Sequence, residues 1–342
     1  MRTIRIGTRD SQLAIWQAET VKQMLEGQGI SSELVFIKSD GDTDLQTPLY
    51  EMGVKGIFTR SLDVALLNDT IDLAVHSYKD VPTGIPQGLQ MAAILPRGNY
   101  KDVFVAHNKN TESLWHKRDG IEEGRLFYES LALKNETEDV RNILNDEDDD
   151  IIMPRHHHIT IATSSLRRKA QWLHRYPGDV FENLRGNMNT RLQKLYDSEW
   201  EGAIFAAAGL DRINLLPSHA IELDWMVPAP AQGAITVQCR VGDEDCIKAC
   251  TKLHDEKTAL QTGIERDFLR ALLGGCATPI GAIAVADGKD IYFRGNIVSP
   301  DGKQKIDIER YIPAKETERA GASLAADLLK NGANEIIAGL ER

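Results

Sequence analysis

A strand that runs directly into Thr and Ser and then into an amphipathic helix occurs twice in this chain. No other feature restricts the fold as much. The first copy is Ile6-Gly-Thr-Arg-Asp-Ser11, the second Ile161-Ala-Thr-Ser-Ser-Leu166. In the first train Thr3–Thr8 reads as a strand. Ser11 is a candidate N-cap, followed by Leu13, Ala14, Ala18, Val21, Met24 and Leu25 at helical spacing, with Gly27 and Gly29 as the stop. Leu34–Lys38, Ile57–Leu67 and Ile71–Ser77 continue as strand, helix and strand. The second train reads strand Ile159–Ala162, helix Ser165–Arg175, strand Val180–Glu182, helix Asn187–Tyr196 and strand Ala203–Phe205. This β-α-β spacing predicts parallel sheets with crossover helices, and so two α/β units of one type. Ligands of such sheets sit beyond the carboxyl ends of the strands, where the polar clusters 8–11, 76–80 and 163–168 fall.

Pro228-Ala-Pro-Ala-Gln-Gly233 reads as a linker, with a strand at Ile235–Arg240 and helices near 243–254 and 258–273 after it. Three strand-like runs, Ile280–Ala286, Ile291–Ile297 and Lys305–Tyr311, carry the hairpin signals Asp287-Gly288 and Asp301-Gly302 and precede a helix from Thr317. This tail predicts a small α+β domain. Between the two trains, the stretch 108–157 reads as a solvated insertion with one amphipathic helix near Leu126–Leu133.

Charge narrows the function. The 342 residues hold 40 Lys+Arg against 51 Asp+Glu, a net −11. That argues against a general nucleic-acid binder, which needs a basic field. Residues 112–150 carry 13 acids and 5 bases, whereas 163–194 carry seven bases and two acids. One basic cluster in an acidic protein suits a compact polyanionic ligand. The amino-terminal residues are charged and lack the apolar run of a signal peptide. The uncharged apolar stretch Gly274–Ala286 is too short for a bilayer and contains Pro279. Four cysteines do not make a disulfide scaffold. The expectation is a cytoplasmic protein with no membrane or nucleic-acid partner.

Each chemical motif has two readings. Arg167 and Arg168 follow Ser164-Ser165 at a helix start, with Arg185 and Arg191 flanking a second start at Gly186-Asn187. They make either a carboxylate or phosphate site or a solvated helical face. Asp80, in His76-Ser-Tyr-Lys-Asp-Val-Pro82, either closes a turn or is a carboxylate beside Lys79 that shuttles protons. Cys276, in Gly274-Gly-Cys-Ala-Thr-Pro-Ile-Gly281, is a reactive thiol on a turn or a buried apolar cysteine. Cys246, Cys250 and His254 at i, i+4, i+8 describe a core stripe or three ligands of a zinc site lacking its fourth. His156–His158 reads as an exposed loop. No GxxxxGK[ST], GxGxxG after a strand or GxSxG occurs.

Taken in order, these blocks resemble the porphobilinogen deaminase (hydroxymethylbilane synthase) family nearly end to end. The match covers Arg9–Gln17, Lys55–Phe58, Val75–Pro82, Thr163–Arg168, Leu184–Leu192, Ala207–Arg212, Gln232–Ala234 and Gly274–Cys276. The resemblance implies two periplasmic-binding-protein-like α/β domains, 1–98 with 228–252 and 99–227, and a small α+β domain, 256–342, carrying a cofactor cysteine. It implies a dipyrromethane cofactor held by a thioether to Cys276. Porphobilinogen units are added to it one at a time, each losing ammonia, before water releases linear hydroxymethylbilane. Asp80 matches the catalytic aspartate. Arg9, Ser11, Lys55, Ser77, Lys79, Thr163, Ser164, Ser165, Arg167, Arg168, Arg185, Arg191 and Arg212 match residues that bind the acetate and propionate groups, with no metal and a monomeric state. Bidentate guanidinium pairing suits those carboxylates, and a fixed carboxylate suits the cationic methylene-pyrrole left by ammonia loss. Val54, Ala162 and Ala231 stand where the family pattern has Gly, and none of these changes removes a reactive group. The rival expectation is a non-catalytic bilobal carboxylate sensor, which gives no reason for Asp80 among cations or for Cys276.

Overall fold

The computed structural model describes residues 2–38, 59–107, 158–272 and 278–340. Lys55, Cys276, the helix expected near Leu126–Leu133 and nearly all of the acidic stretch lie outside them. The chain opens with β1 (Ile4–Thr8), α1 (Gln12–Glu26), β2 (Ser32–Phe36), α2 (Arg60–Leu67), β3 (Leu73–Ser77) and β4 (Leu89–Ile94). It continues with β5 (Asp102–Ala106), β6 (Thr160–Ala162), α3 (Leu166–Arg175), β7 (Val180–Glu182), α4 (Met188–Tyr196), β8 (Gly202–Ala206), α5 (Ala207–Asp211) and β9 (Ile221–Glu222). Then come β10 (Ile235–Arg240), α6 (Glu244–Cys250), α7 (Glu256–Ala271), β11 (Ile280–Asp287), β12 (Asp290–Val298), β13 (Lys305–Pro313), α8 (Ala320–Leu328) and α9 (Asn334–Leu340).

The first sheet has the order β2-β1-β3-β10-β4 and the second β7-β6-β8-β5-β9. In each, the first three strands are parallel and the last two antiparallel to their neighbours. The expectation of parallel sheets is corrected here: both are mixed. The cause is connectivity, since β5 leaves the first unit for the second sheet and β10 returns to lie between β3 and β4. The two look-alike junctions are equivalent, because β1 and β6 occupy the same place in the order.

Local chemistry places the helices. Ser11, Ser165 and Asn187 cap α1, α3 and α4 with side-chain oxygens that accept from Ala14, Arg168 and Thr190 backbone N–H groups. Ala14, Ala18, Val21 and Leu25 form the buried stripe of α1, the last three against Ile4, Ile6, Val75 and Val237. In the second unit Trp172 packs on Phe104, Tyr176 and Trp225 with ring centroids 5.5, 5.2 and 5.9 Å away. The third sheet is the antiparallel meander β11-β12-β13, with α7 and α8 packed on it through Phe268, Phe293, Leu324 and Leu328.

Two connections join the α/β units side by side. Leu95 N–H donates to Ile235 O and Gly98 N–H to Gly233 O, each at 3.0 Å. Gly233 has φ +87°, and a Cβ there would meet Gly98 O at 2.8 Å, so only glycine lets the two backbones approach this closely. Ala231 has φ +62°, the left-handed region, which is why glycine is the residue expected there. Cys246 and Cys250 sit with Cys239 in the apolar core of the first unit. The α-helix ends at Cys250, and His254 Nδ1 accepts from Ile94 N–H at 3.1 Å, so the two cysteines belong to a core stripe that His254 does not continue.

Candidate active site

The carboxyl ends of both sheets face one another. Asn189, in the first turn of α4, donates to Gln12 Oε1 at the start of α1 across 2.9 Å. β1 delivers Arg9 and the Ser11 cap. β3 delivers Ser77 and a single 3-10 turn, Tyr78–Asp80, that carries Lys79 and Asp80. Ser77 Oγ accepts from Gln17 Nε2 at 2.8 Å, which ties this end of β3 to α1. β6 delivers Thr163, Ser164 and Ser165. Thr163 Oγ1 accepts from Ser165 N–H, and Ser164 Oγ lies 2.6 Å from Leu184 O. The segment after β7 brings Arg185 and Arg191.

These cations share one field. Desolvation pushes Arg191 down to about 10, and the charges of Arg168, Arg185 and Arg9 push the same way, while Asp80 opposes them. Its Nε donates to Gly186 O at 2.7 Å. Desolvation likewise pushes Lys79 down to about 8; Asp80 and Asp102 hold it up, and Arg168 and Arg167 press it lower. Asp80 therefore stands within electrostatic reach of cations from both sheets.

Arg167 and Arg168 are committed more heavily than a ligand site alone would require. Both are buried against Asp102, which is wholly out of solvent. Arg167 Nη1 donates to Asp102 Oδ2 and to Val227 O, each at 2.7 Å. Arg168 donates to Asp102 Oδ1 from Nε at 3.0 Å and Nη2 at 2.7 Å, and to Ile204 O from Nη1. Burial would raise the Asp102 carboxyl; the two guanidiniums and Gln232 overcome it and hold the carboxyl well below the usual carboxylate range. Gln232 Nε2 donates to Asp102 Oδ1 at 2.9 Å, and its Oε1 accepts from Lys79 Nζ at 3.2 Å. A chain of hydrogen bonds thus runs from the acid-bearing turn, through the returning connection, to the arginine pair of the other sheet. Arg212 lies apart, at the connections: it donates to Gly233 O at 2.6 Å and sits 5.6 Å over the Trp16 ring.

Sequence reading missed Asp102, Gln232 as its partner, and His76. Asp102 carried a signal, an acid heading the apolar run Val103–Ala106. His76, under the site on β3, is buried; desolvation pushes it down to about 3, the nearby Arg9 adds to this, and Gln238 opposes it. Among the described residues no group of three or more His, Cys, Asp or Glu is arranged to hold a metal ion, and no helix is long and apolar enough to cross a membrane.

A family model described as porphobilinogen deaminase, dipyrromethane cofactor binding domain, matches residues 4–121 and 129–248. A second, described as the porphobilinogen deaminase C-terminal domain, matches 259–330. The curated relative "Porphobilinogen deaminase" of Syntrophotalea carbinolica is 37% identical over 342 residues, covering 99% of this chain and 96% of the relative. One of the same name from a Nitratiruptor species is 36% identical, covering 98% and 96%. Among solved structures, the methionine binding protein MetQ is 10% identical at TM-score 0.38, over 77% of this chain and 94% of that one. YhfZ from Shigella flexneri is 13% identical at TM-score 0.34, over 79% and 97%. Two family models that together span both α/β units and the C-terminal unit, and relatives above one-third identity along nearly the whole chain, agree: the chain belongs to the porphobilinogen deaminase family.

Proposed function

We propose that the chain converts porphobilinogen into hydroxymethylbilane, with loss of ammonia at each coupling and hydrolytic release of the tetrapyrrole. The observation that carries this reading is Asp80, on a turn at the end of β3, within electrostatic reach of desolvated cations from two sheets that repel one another. Such a set is relieved by a ligand bearing several carboxylates, so the donors fit an acidic dipyrrole and its elongated forms. Bound through a thioether at Cys276, a dipyrromethane supplies the pyrrole carbon to which porphobilinogen couples.

The chain's own residues divide the remaining work. Arg9, Lys55, Lys79, Arg185 and Arg191 pair with acetate and propionate groups. Arg167 and Arg168 divide their charge between those groups and Asp102, and Arg212 serves from the connections. Ser11 and Ser165 accept from their helices and keep an O–H to donate; Ser77, Thr163 and Ser164 add neutral hydrogen bonds. Asp80 accepts pyrrole N–H groups, assists departure of the ammonia nitrogen and takes the proton lost after coupling. The domain boundaries we assign are 1–98 with 228–252, 99–227 and 256–342, supported by the return of β10 between β3 and β4. We assign the protein to the cytoplasm as a monomer.

Incubation of the purified protein with porphobilinogen tests the activity: one ammonia per porphobilinogen consumed is expected, and no release overturns it. Intact mass tests the tether, since the loaded chain must exceed its sequence mass by two pyrrole units and Cys276→Ser must not. A carboxylate sensor would bind porphobilinogen and leave it unchanged.

A further inference from the structure

The turn that carries Asp80 is held by an arginine from the C-terminal unit. Arg266, on α7, is nearly buried, and its guanidinium reaches into the concave side of segment 78–82. Nη1 donates to Tyr78 O at 3.2 Å and to Val81 O at 2.9 Å, and Nη2 donates to Pro82 O at 2.6 Å. Its Cζ lies 4.4 Å from the centroid of the Tyr78 ring. Within this 3-10 turn Val81 N–H donates to Tyr78 O at 3.3 Å, and the carbonyls that follow the turn need donors from outside it. One planar group with several donors satisfies carbonyls on both sides of Asp80, which an ammonium on a flexible stem cannot do.

Arg266 is itself fixed. The neighbouring Glu265 is wholly buried and accepts from Arg97 Nη1 at 2.6 Å and Nη2 at 3.0 Å. It also accepts from the backbone N–H of Ala231 at 2.6 Å and of Ala284 at 2.8 Å. This locks α7 to the first unit, to the returning connection and to β11. Ten residues beyond Arg266 the same stretch of chain reaches Cys276.

We infer that Arg266 is a positioning residue, which sets where Asp80 stands relative to α7 and, through Glu265, to the first unit. The inference rests on the reading proposed above for Asp80 and Cys276. The helix that precedes Cys276 in the chain thereby grips the turn that bears the acid, so helix and turn move together.

Arg266→Gln and Arg266→Lys, with Arg270→Gln on the exposed side of the same helix as control, test it by kinetics, intact mass and amide hydrogen exchange. Misplacing a reacting group by about 1 Å costs up to about a hundredfold in rate. We expect kcat of Arg266→Gln to fall about tenfold or more, with KM within about twofold and cofactor mass unchanged, and Arg266→Lys to be intermediate. Exchange should rise in the peptide spanning 76–84 in Arg266→Gln and stay at the wild-type level in Arg270→Gln. Wild-type kcat and exchange in Arg266→Gln would overturn the inference. So would a loss confined to cofactor loading or melting temperature, with kcat per loaded enzyme intact. If wild-type protein released no ammonia, the reading of function would fail, and exchange in 76–84 would still decide whether Arg266 holds the turn.

Discussion

The two α/β units share strand order and sense but differ at one register position. β10 begins with Ile235 opposite Ser77, the last residue of β3; β5 begins with Asp102 opposite Ala206, the last residue of β8. Ile235 is part of an apolar core. Asp102 instead draws the two arginines at the start of α3 inward and neutralises part of their charge. One scaffold therefore supports two electrostatic solutions at its carboxyl edge. The first unit offers the carboxylate of Asp80 on a turn beside Lys79 and Arg9; the second offers guanidiniums, two of which are anchored by an internal acid. A ligand between them meets cations on both sides and the acid of Asp80 on one.

Removing the acid of the first unit gives the largest effect on that comparison. Asp80→Asn keeps the shape and removes the charge, so porphobilinogen turnover should fall by about 10²-fold or more with the fold intact. Turnover near wild type in that variant would end the proposed division of labour. Removing the acid of the second unit should act on stability first. Asp102→Asn leaves two buried guanidiniums uncompensated, and a buried pair broken on one side costs about 3–5 kcal/mol. Denaturant melts measure this, and a loss under about 1 kcal/mol would mean that the pair is not structural.

Acid sharpens the contrast, because the first unit buries a neutral base where the second buries an ionised acid. His76 has a folded pKa of about 3, below its ordinary value, so between about pH 6.5 and 3 the unfolded chain holds the proton and the folded chain does not. Stability then falls with falling pH by about 1.4 kcal/mol per unit across that window. Asp102, with its pKa depressed, contributes fully above about pH 4 and loses its contribution only below. His76→Gln should therefore flatten the curve from about pH 6.5 to 4 and Asp102→Asn should not, as read by melts across pH. The smallest effect falls at the connection between the units. Ala231→Gly relieves a left-handed alanine and should raise stability by up to about 1 kcal/mol, after the entropy that glycine adds to the unfolded chain.

Much of this architecture was legible locally. Caps, apolar periodicity and Gly stops marked α1, α3 and α4, and β10 ran over the expected residues. β4 and β5 escaped. Leu89–Ile94 alternates weakly, and Asp102–Ala106 is buried throughout, with no face pattern to read. The antiparallel sense of β10 depends on where the chain re-enters the sheet, which no local pattern encodes. At the site, the serine caps and the arginines were visible as residue types at helix starts. The ion pairs of Arg167 and Arg168 were not, because their partner lies more than sixty residues away and only the folded sheet brings it near.

The placement of β10 also sets an order of assembly on the ribosome. Until residues 235–240 emerge, β4 lacks the strand it pairs with, and one edge of β3 stays open. The last strand of the second unit ends at residue 222, so all its strands can pair while the older part of the chain still waits. The half that is translated first is the half that closes last, around a neighbour already finished.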